Sequence, residues 1–305
     1  MTMATNCETA KFGAIAEGEV RTYRRDDLTL AVRVWKGDGA SPKRPIVCLP
    51  GLTRNSRDFS AFASQIRRLD PSRTVIAFDY RGRGLSDPVS DPSAYNAAEE
   101  AKDVLAGLDH LGIAEADLIG TSRGVIVIHL IAVFAPERIG RVVFNDAGPR
   151  IEAAGLAEIR DYLEAARPHE TLDKASDAVE RLFAPTFPSL GRPDFEREAR
   201  ALHVERNGSL VSDFDPKLLR TLDAVEADKP LPEMWDLFER LADREILVLR
   251  GEHSNILTPE TVTEMERRHP GLKSQVVKGQ GHAPFLETAG LPGLILSFLD
   301  ENAPA

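Results

Sequence analysis

Short apolar runs of strand length recur along the chain, separated by longer stretches whose apolar residues return every three or four positions. Val20–Tyr23 and Leu28–Trp35 alternate apolar with polar residues, which predicts an antiparallel hairpin with one face in water. Ile46–Leu49, Thr74–Asp79, Asp117–Gly120, Arg141–Asn145, Ile246–Leu249 and Ser274–Val277 are short and rich in Val, Ile and Leu, as strands buried on both faces of a parallel sheet are. Between them, Phe59–Leu69, Ala97–Leu111, Val125–Phe134, Glu260–Arg268 and Phe285–Glu301 have helical spacing. Such alternation predicts the α/β class, with a mostly parallel central sheet and helices on both faces.

The alternation lapses once. From Arg150 to Arg244 the chain is charged and helical in pattern, broken by Pro168, Pro185, Pro188, Pro193, Pro216, Pro230 and Pro232, and no strand is legible in it. The expectation is a core domain of residues 1–149 and 245–305, interrupted by a helical cap of residues 150–244. The 305 residues, 42% of them hydrophobic, suffice for one sizeable core.

The candidate chemistry begins at Gly120-Thr121-Ser122-Arg123-Gly124, a G-x-S-x-G pattern directly after an apolar strand and before an apolar helix. A serine at such a bend sits on strained backbone, and the two glycines leave room for close approach. The helix start then presents unpaired N–H groups beside it. A serine hydroxyl is a poor nucleophile until a base takes its proton, and histidine suits that task near neutrality. His282, in a glycine-flanked loop after the last strand, is the candidate. His129 reads as a core residue; His110, His169, His203 and His269 read as solvated; His253 is the one rival.

In these motifs the chain resembles the α/β-hydrolase superfamily, in its cap-bearing esterase, lipase and C–C hydrolase-like branch. Leu49-Pro50-Gly51-Leu52-Thr53 is similar to the family's oxyanion loop, Asp79-Tyr80-Arg81-Gly82-Arg83-Gly84-Leu85-Ser86-Asp87 to its D-x-R-G-x-G-x-S turn, and Gly279-Gln280-Gly281-His282 to the loop that carries its histidine. The resemblance implies the α/β-hydrolase fold. It also implies an oxyanion hole formed by the N–H groups of Leu52 and Arg123, each such donor being worth about 2.7–4 kcal/mol in acyl transfer.

The third member of a triad orients the imidazole and stabilises its positive charge. The family pattern places an aspartate at position 255, where this chain has Asn255. An amide carries no charge and can select the wrong tautomer. Three positions therefore stay open: Asp146 at the end of the strand after the elbow helix, Asn255 itself as the altered acid slot of a slow enzyme or ligand trap, and Glu252. A water-assisted dyad is the remaining reading. The Arg123 side chain is expected to pair with a nearby carboxylate or to meet an anionic substrate, and Arg54 to meet an acidic substrate. Tyr162, Phe183, Phe187, Trp235 and Phe238 are expected in the cap interior or along an apolar pocket.

The formal net charge of −10 argues against nucleic acid and anionic membranes as partners. Two cysteines, Cys7 and Cys48, make no disulfide framework, and Met1 to Ala10 lacks the pattern of a signal peptide, so a cytoplasmic location is expected. No apolar stretch is long enough for a membrane helix. His and Cys show no metal-ligand spacing, Gly82-Arg83-Gly84 lacks the ending of a phosphate loop, and no cofactor is expected. The partner is a small-molecule substrate, with a homo-oligomer admissible. Together these point to a serine hydrolase acting on a small or medium ester, lactone or activated C–C substrate. The alternative is an impaired or non-hydrolytic member, a ligand-binding protein or cofactor-free oxygenase, because of Asn255.

Overall fold

The computed structural model describes residues 18–40 and 43–301; Cys7 and the N-terminal stretch read for a signal lie outside them. The strands β1 (Glu19–Arg25) and β2 (Leu28–Trp35) form the predicted hairpin, and β2 continues antiparallel onto β4 (Val75–Asp79). Beyond that point every pairing is parallel, through β3 (Ile46–Leu49), β5 (Ala116–Thr121), β6 (Ile139–Asn145), β9 (Ile246–Gly251) and β10 (Lys273–Val277). The order across the eight-stranded sheet is β1-β2-β4-β3-β5-β6-β9-β10.

The period-two geometry of a strand divides each apolar run between two cores. Val47, Leu49, Ile76, Phe78, Leu118, Val142, Phe144, Ile246 and Val248 face one side. There they meet α2 (Ala97–His110), α3 (Arg123–Phe134) and α8 (Pro259–Arg268). The intervening Ile46, Cys48, Val75, Ala77, Ile119, Val143, Leu247 and Leu249 face the other side, against α1 (Ser60–Leu69) and α9 (Leu291–Asp300). Each fully buried Val, Leu or Ile contributes about 1.5–3 kcal/mol relative to exposure, so both faces hold the sheet.

The insertion between β6 and β9 contains α4 (Ala153–Ala165), α5 (Leu172–Phe183) and α6 (Arg192–Leu202), and it corrects one expectation. It is not purely helical: β7 (His203–Arg206) and β8 (Ser209–Ser212) form a hairpin about Asn207-Gly208, whose φ angles are +53° and +75°. An Asn-Gly pair with both residues at positive φ is the favoured two-residue hairpin turn. These strands leave little signal in the sequence because they are four residues long and at best half-buried. The end of the insertion, α7 (Trp235–Phe238) and Leu241, packs into the main core, Phe238 lying 6.4 Å from Phe144 between ring centres.

Two smaller expectations are also corrected. The helix expected over Phe285–Glu301 begins only at Leu291, after Gly290 at φ +72°. His269, expected in solvent, is buried against Phe238, with Nε2 3.2 Å from the Leu241 carbonyl. Among the described residues no helix is long and apolar enough to cross a membrane.

Candidate active site

β5 ends at Thr121, and Ser122 sits between it and α3 at the helix N-cap with φ +52° and ψ −110°, a conformation rarely adopted by a residue with a side chain. The glycines make the bend feasible. A Cβ on Gly120 would lie 2.6 Å from the Gly124 carbonyl carbon, and one on Gly124 2.2 Å from the Leu49 oxygen. The Ser122 N–H donates to the Asn145 carbonyl at 3.0 Å, tying the elbow to β6. The hydroxyl is thereby left at the carboxyl end of the sheet, where open α/β sheets place their clefts.

His282 arrives from the loop after β10. Gln280 folds that loop: its Oε1 accepts the Phe285 N–H at 2.8 Å, and its Nε2 donates to Thr288 Oγ1 at 2.7 Å. The Asn145 amide donates to the Pro284 carbonyl at 3.0 Å, fixing the loop to β6. His282 Nε2 then lies 2.9 Å from Ser122 Oγ.

Asp146 is fully buried at the end of β6, with φ +60°. Its Oδ2 lies 2.9 Å from His282 Nδ1, and its Oδ1 accepts the Gly251 N–H at 2.7 Å. With Nδ1–H donating to the carboxylate, Nε2 is the nitrogen free to accept the serine proton. The other two positions left open by the sequence lie elsewhere. Asn255 is exposed, and its amide donates to Glu158 Oε2 of α4 at 2.5 Å. Glu252 accepts from Lys278 Nζ and from the Gly279 N–H, each at 2.8 Å. His253 is exposed beside Glu252. The structure brings together Ser122, His282 and Asp146 and leaves Asn255, Glu252 and His253 apart from them.

Leu52 and Arg123 flank the serine, and a buried ionic chain links them. Arg123 Nε donates to Glu100 Oε2 at 2.8 Å, Arg83 Nη2 donates to Glu100 Oε1 at 2.6 Å, and Arg83 Nε donates to the Leu52 carbonyl at 2.8 Å. Burial alone would raise the Glu100 carboxyl pKa, but Arg123 and Arg83 outweigh it and hold it at about 2. The Arg123 side chain thus has the structural partner expected of it. Arg54 is also paired, with Nε and Nη2 on Asp58 at 2.7 and 2.8 Å and Nη1 on Glu198 at 2.5 Å.

A cavity of about 140 Å³ opens over Ser122 and His282. Of the five aromatic residues singled out in the insertion, Tyr162 and Phe183 line it. Phe187 is buried between Phe183 and Phe285, its ring centre 5.5 Å from each. Trp235 lies under the Arg268 guanidinium at 4.4 Å, and Phe238 belongs to the main core. Burial pushes the Tyr162 hydroxyl pKa up to about 12. Glu198 and Glu287, which also line the cavity, are raised by the same loss of water.

Glu100, Gln280, Asn145, Glu198 and Glu287 were missed in the sequence. Glu100 alone left a signal there. It falls on the apolar face of α2 with Ala97, Ala101, Val104 and Leu108, where a lone carboxylate needs a partner.

The sheet order, the bend at Ser122 and the insertion after β6 define an α/β hydrolase. The chain belongs to the α/β-hydrolase fold family, whose model matches residues 44–289. It is 30% identical over 276 residues to a 3-hydroxybutyrate-oligomer hydrolase of Cupriavidus necator, a match covering 85% of this chain and 89% of the relative. A 2-(acetamidomethylene)succinate hydrolase of Mesorhizobium japonicum is 28% identical, with 84% and 85% covered. Among solved structures, an α/β hydrolase from Novosphingobium aromaticivorans superposes with a TM-score of 0.85 at 35% identity, covering 94% of this chain and 99% of that one.

Proposed function

We propose that the protein hydrolyses a carboxylic ester or lactone through an acyl-enzyme on Ser122. The observation that carries this reading is the continuous line Asp146–His282–Ser122, with both contacts at 2.9 Å, at the floor of a cavity. The relatives are hydrolases by name, which supports hydrolysis as the reaction class.

In the first half-reaction Ser122 Oγ attacks the substrate carbonyl while its proton passes to His282 Nε2. The negative charge moves to the carbonyl oxygen, where the N–H groups of Leu52 and Arg123 receive it. Asp146 stabilises the imidazolium, which donates its proton to the leaving alkoxide as the carbon–oxygen bond breaks. In the second half-reaction His282 takes a proton from water, the hydroxide adds to the acyl carbon, and the proton returns to Ser122 as the acid departs. The insertion acts as the cap over this site, with Leu156, Ile159, Tyr162 and Phe183 on the apolar wall. Asp146 fills the acid's role from β6, so Asn255 gives no ground for an impaired or purely ligand-binding protein.

Treatment with a fluorophosphonate, followed by mass spectrometry, tests the assignment. The adduct is expected on Ser122 alone, with p-nitrophenyl ester turnover lost in Ser122→Ala. Labelling elsewhere, or unchanged turnover in that variant, contradicts it.

A further inference from the structure

We infer that the cavity selects uncharged acyl chains and rejects substrates with a carboxylate of their own; this rests on the ester-hydrolase reading above. Among the described residues, and apart from His282, four charged side chains line the space: Arg54, Asp58, Glu198 and Glu287. Only one is a cation, and it is already engaged. The Arg54 fork closes on Asp58 through two nitrogens and on Glu198 through a third. Glu287 draws on Arg197, which lies outside the lining and also bonds Asp194 at 2.6 Å.

The charges count as follows. Arg54 and Arg197 supply two positive charges, against Asp58, Glu198, Glu287 and Asp194, so the set is two charges negative when all are ionised. Burial raises Glu198 and Glu287 toward the neutral form, yet with both protonated Asp58 still balances Arg54 and Asp194 balances Arg197. No protonation state of these two acids leaves a cation in surplus.

An entering carboxylate loses water and gains no free cation among the described residues. It must either displace a carboxylate from Arg54 or sit beside like charge, and like-charge juxtaposition is how sites reject wrong partners. A neutral chain does neither and packs on Leu156, Ile159, Phe183 and Phe285. Arg54 is positioned to matter, since a Cβ built on Gly51 would lie 3.0 Å from Arg54 Cγ and 3.9 Å from Ser122 Cβ.

The test compares two p-nitrophenyl esters with the same six-carbon acyl chain: the hexanoate, and the adipate half-ester with its far carboxylate ionised. Each rate is corrected for uncatalysed hydrolysis. The intact enzyme is expected to favour the hexanoate in kcat/KM by at least about tenfold. Glu198→Gln and Glu287→Gln should each narrow that ratio, and the two variants act on separate ion pairs, so misfolding of one leaves the other informative. Equal or faster turnover of the adipate half-ester by the intact enzyme overturns the inference, because Arg54 would then exchange its partners for the substrate. Turnover surviving in Ser122→Ala overturns the acyl-enzyme assignment to Ser122 instead, while the ratio between the esters still reports on the cavity charge.

Discussion

Asp146 uses its two carboxylate oxygens differently. One faces the imidazole and the other is held by the Gly251 N–H, so the residue joins β6 to β9 while orienting His282. A carboxylate at position 255 would find neither partner, since that side chain points to solvent beside Glu158. Asn255→Asp is therefore expected to leave kcat/KM for a p-nitrophenyl ester within about threefold of the parent. A gain of tenfold or more would assign the acid's role to position 255. Ser122 and His282 were legible because local features mark them: flanking glycines, a strand before and a helix after. The acid was not. β6 and β9 are neighbours in the sheet, so their ends open onto one histidine, and only tertiary placement chooses between Asp146, Glu252 and Asn255.

At the level of elements, α2 does more than cover the sheet. It places Glu100 between Arg83 and Arg123, so the helix braces the segments on either side of Ser122. Removing one partner of a buried pair costs about 3–5 kcal/mol, because the other charge stays behind without water. Glu100→Gln should lower stability by about that amount at pH 7, read as a fall in the urea midpoint. The pH dependence has a definite sign. The Glu100 pKa lies near 2 in the folded protein, below its ordinary value near 4.5. Its contribution is therefore complete above about pH 4.5 and is lost as pH falls toward 2. Between pH 5 and 3 the stability of Glu100→Gln should fall less steeply than that of the parent; parallel curves would show that Glu100 is not held ionised by its arginines. The inner strands were legible because burial on both faces leaves unbroken apolar runs, whereas β10, expected to be buried as well, is an edge strand exposed from Lys273 to Val276. The β7–β8 hairpin was not, because short half-exposed strands carry little periodicity, although the Asn207-Gly208 turn signal was present.

For the molecule as a whole, the proposed chemistry lies at the carboxyl end of one sheet, and residues of the insertion line the cavity over it. The insertion and the sheet domain interlock in the packing. Phe285, from the loop after His282, contacts Phe187 of the insertion, while α7 returns to the main core beside Phe144. The charge pattern of the cavity was not legible, since Arg54, Asp58, Glu198 and Glu287 come from distant parts of the chain. The proposed chemistry depends above all on Asp146 serving His282 from the end of β6. The most direct test is kcat/KM of Asp146→Asn against the parent on one p-nitrophenyl ester, with folding checked by circular dichroism. The same exchange in a serine-protease triad drops turnover about 10⁴-fold by favouring the wrong tautomer, and a loss of about 10³–10⁴-fold in a folded protein is predicted here. A folded variant that keeps activity within tenfold of the parent would contradict it.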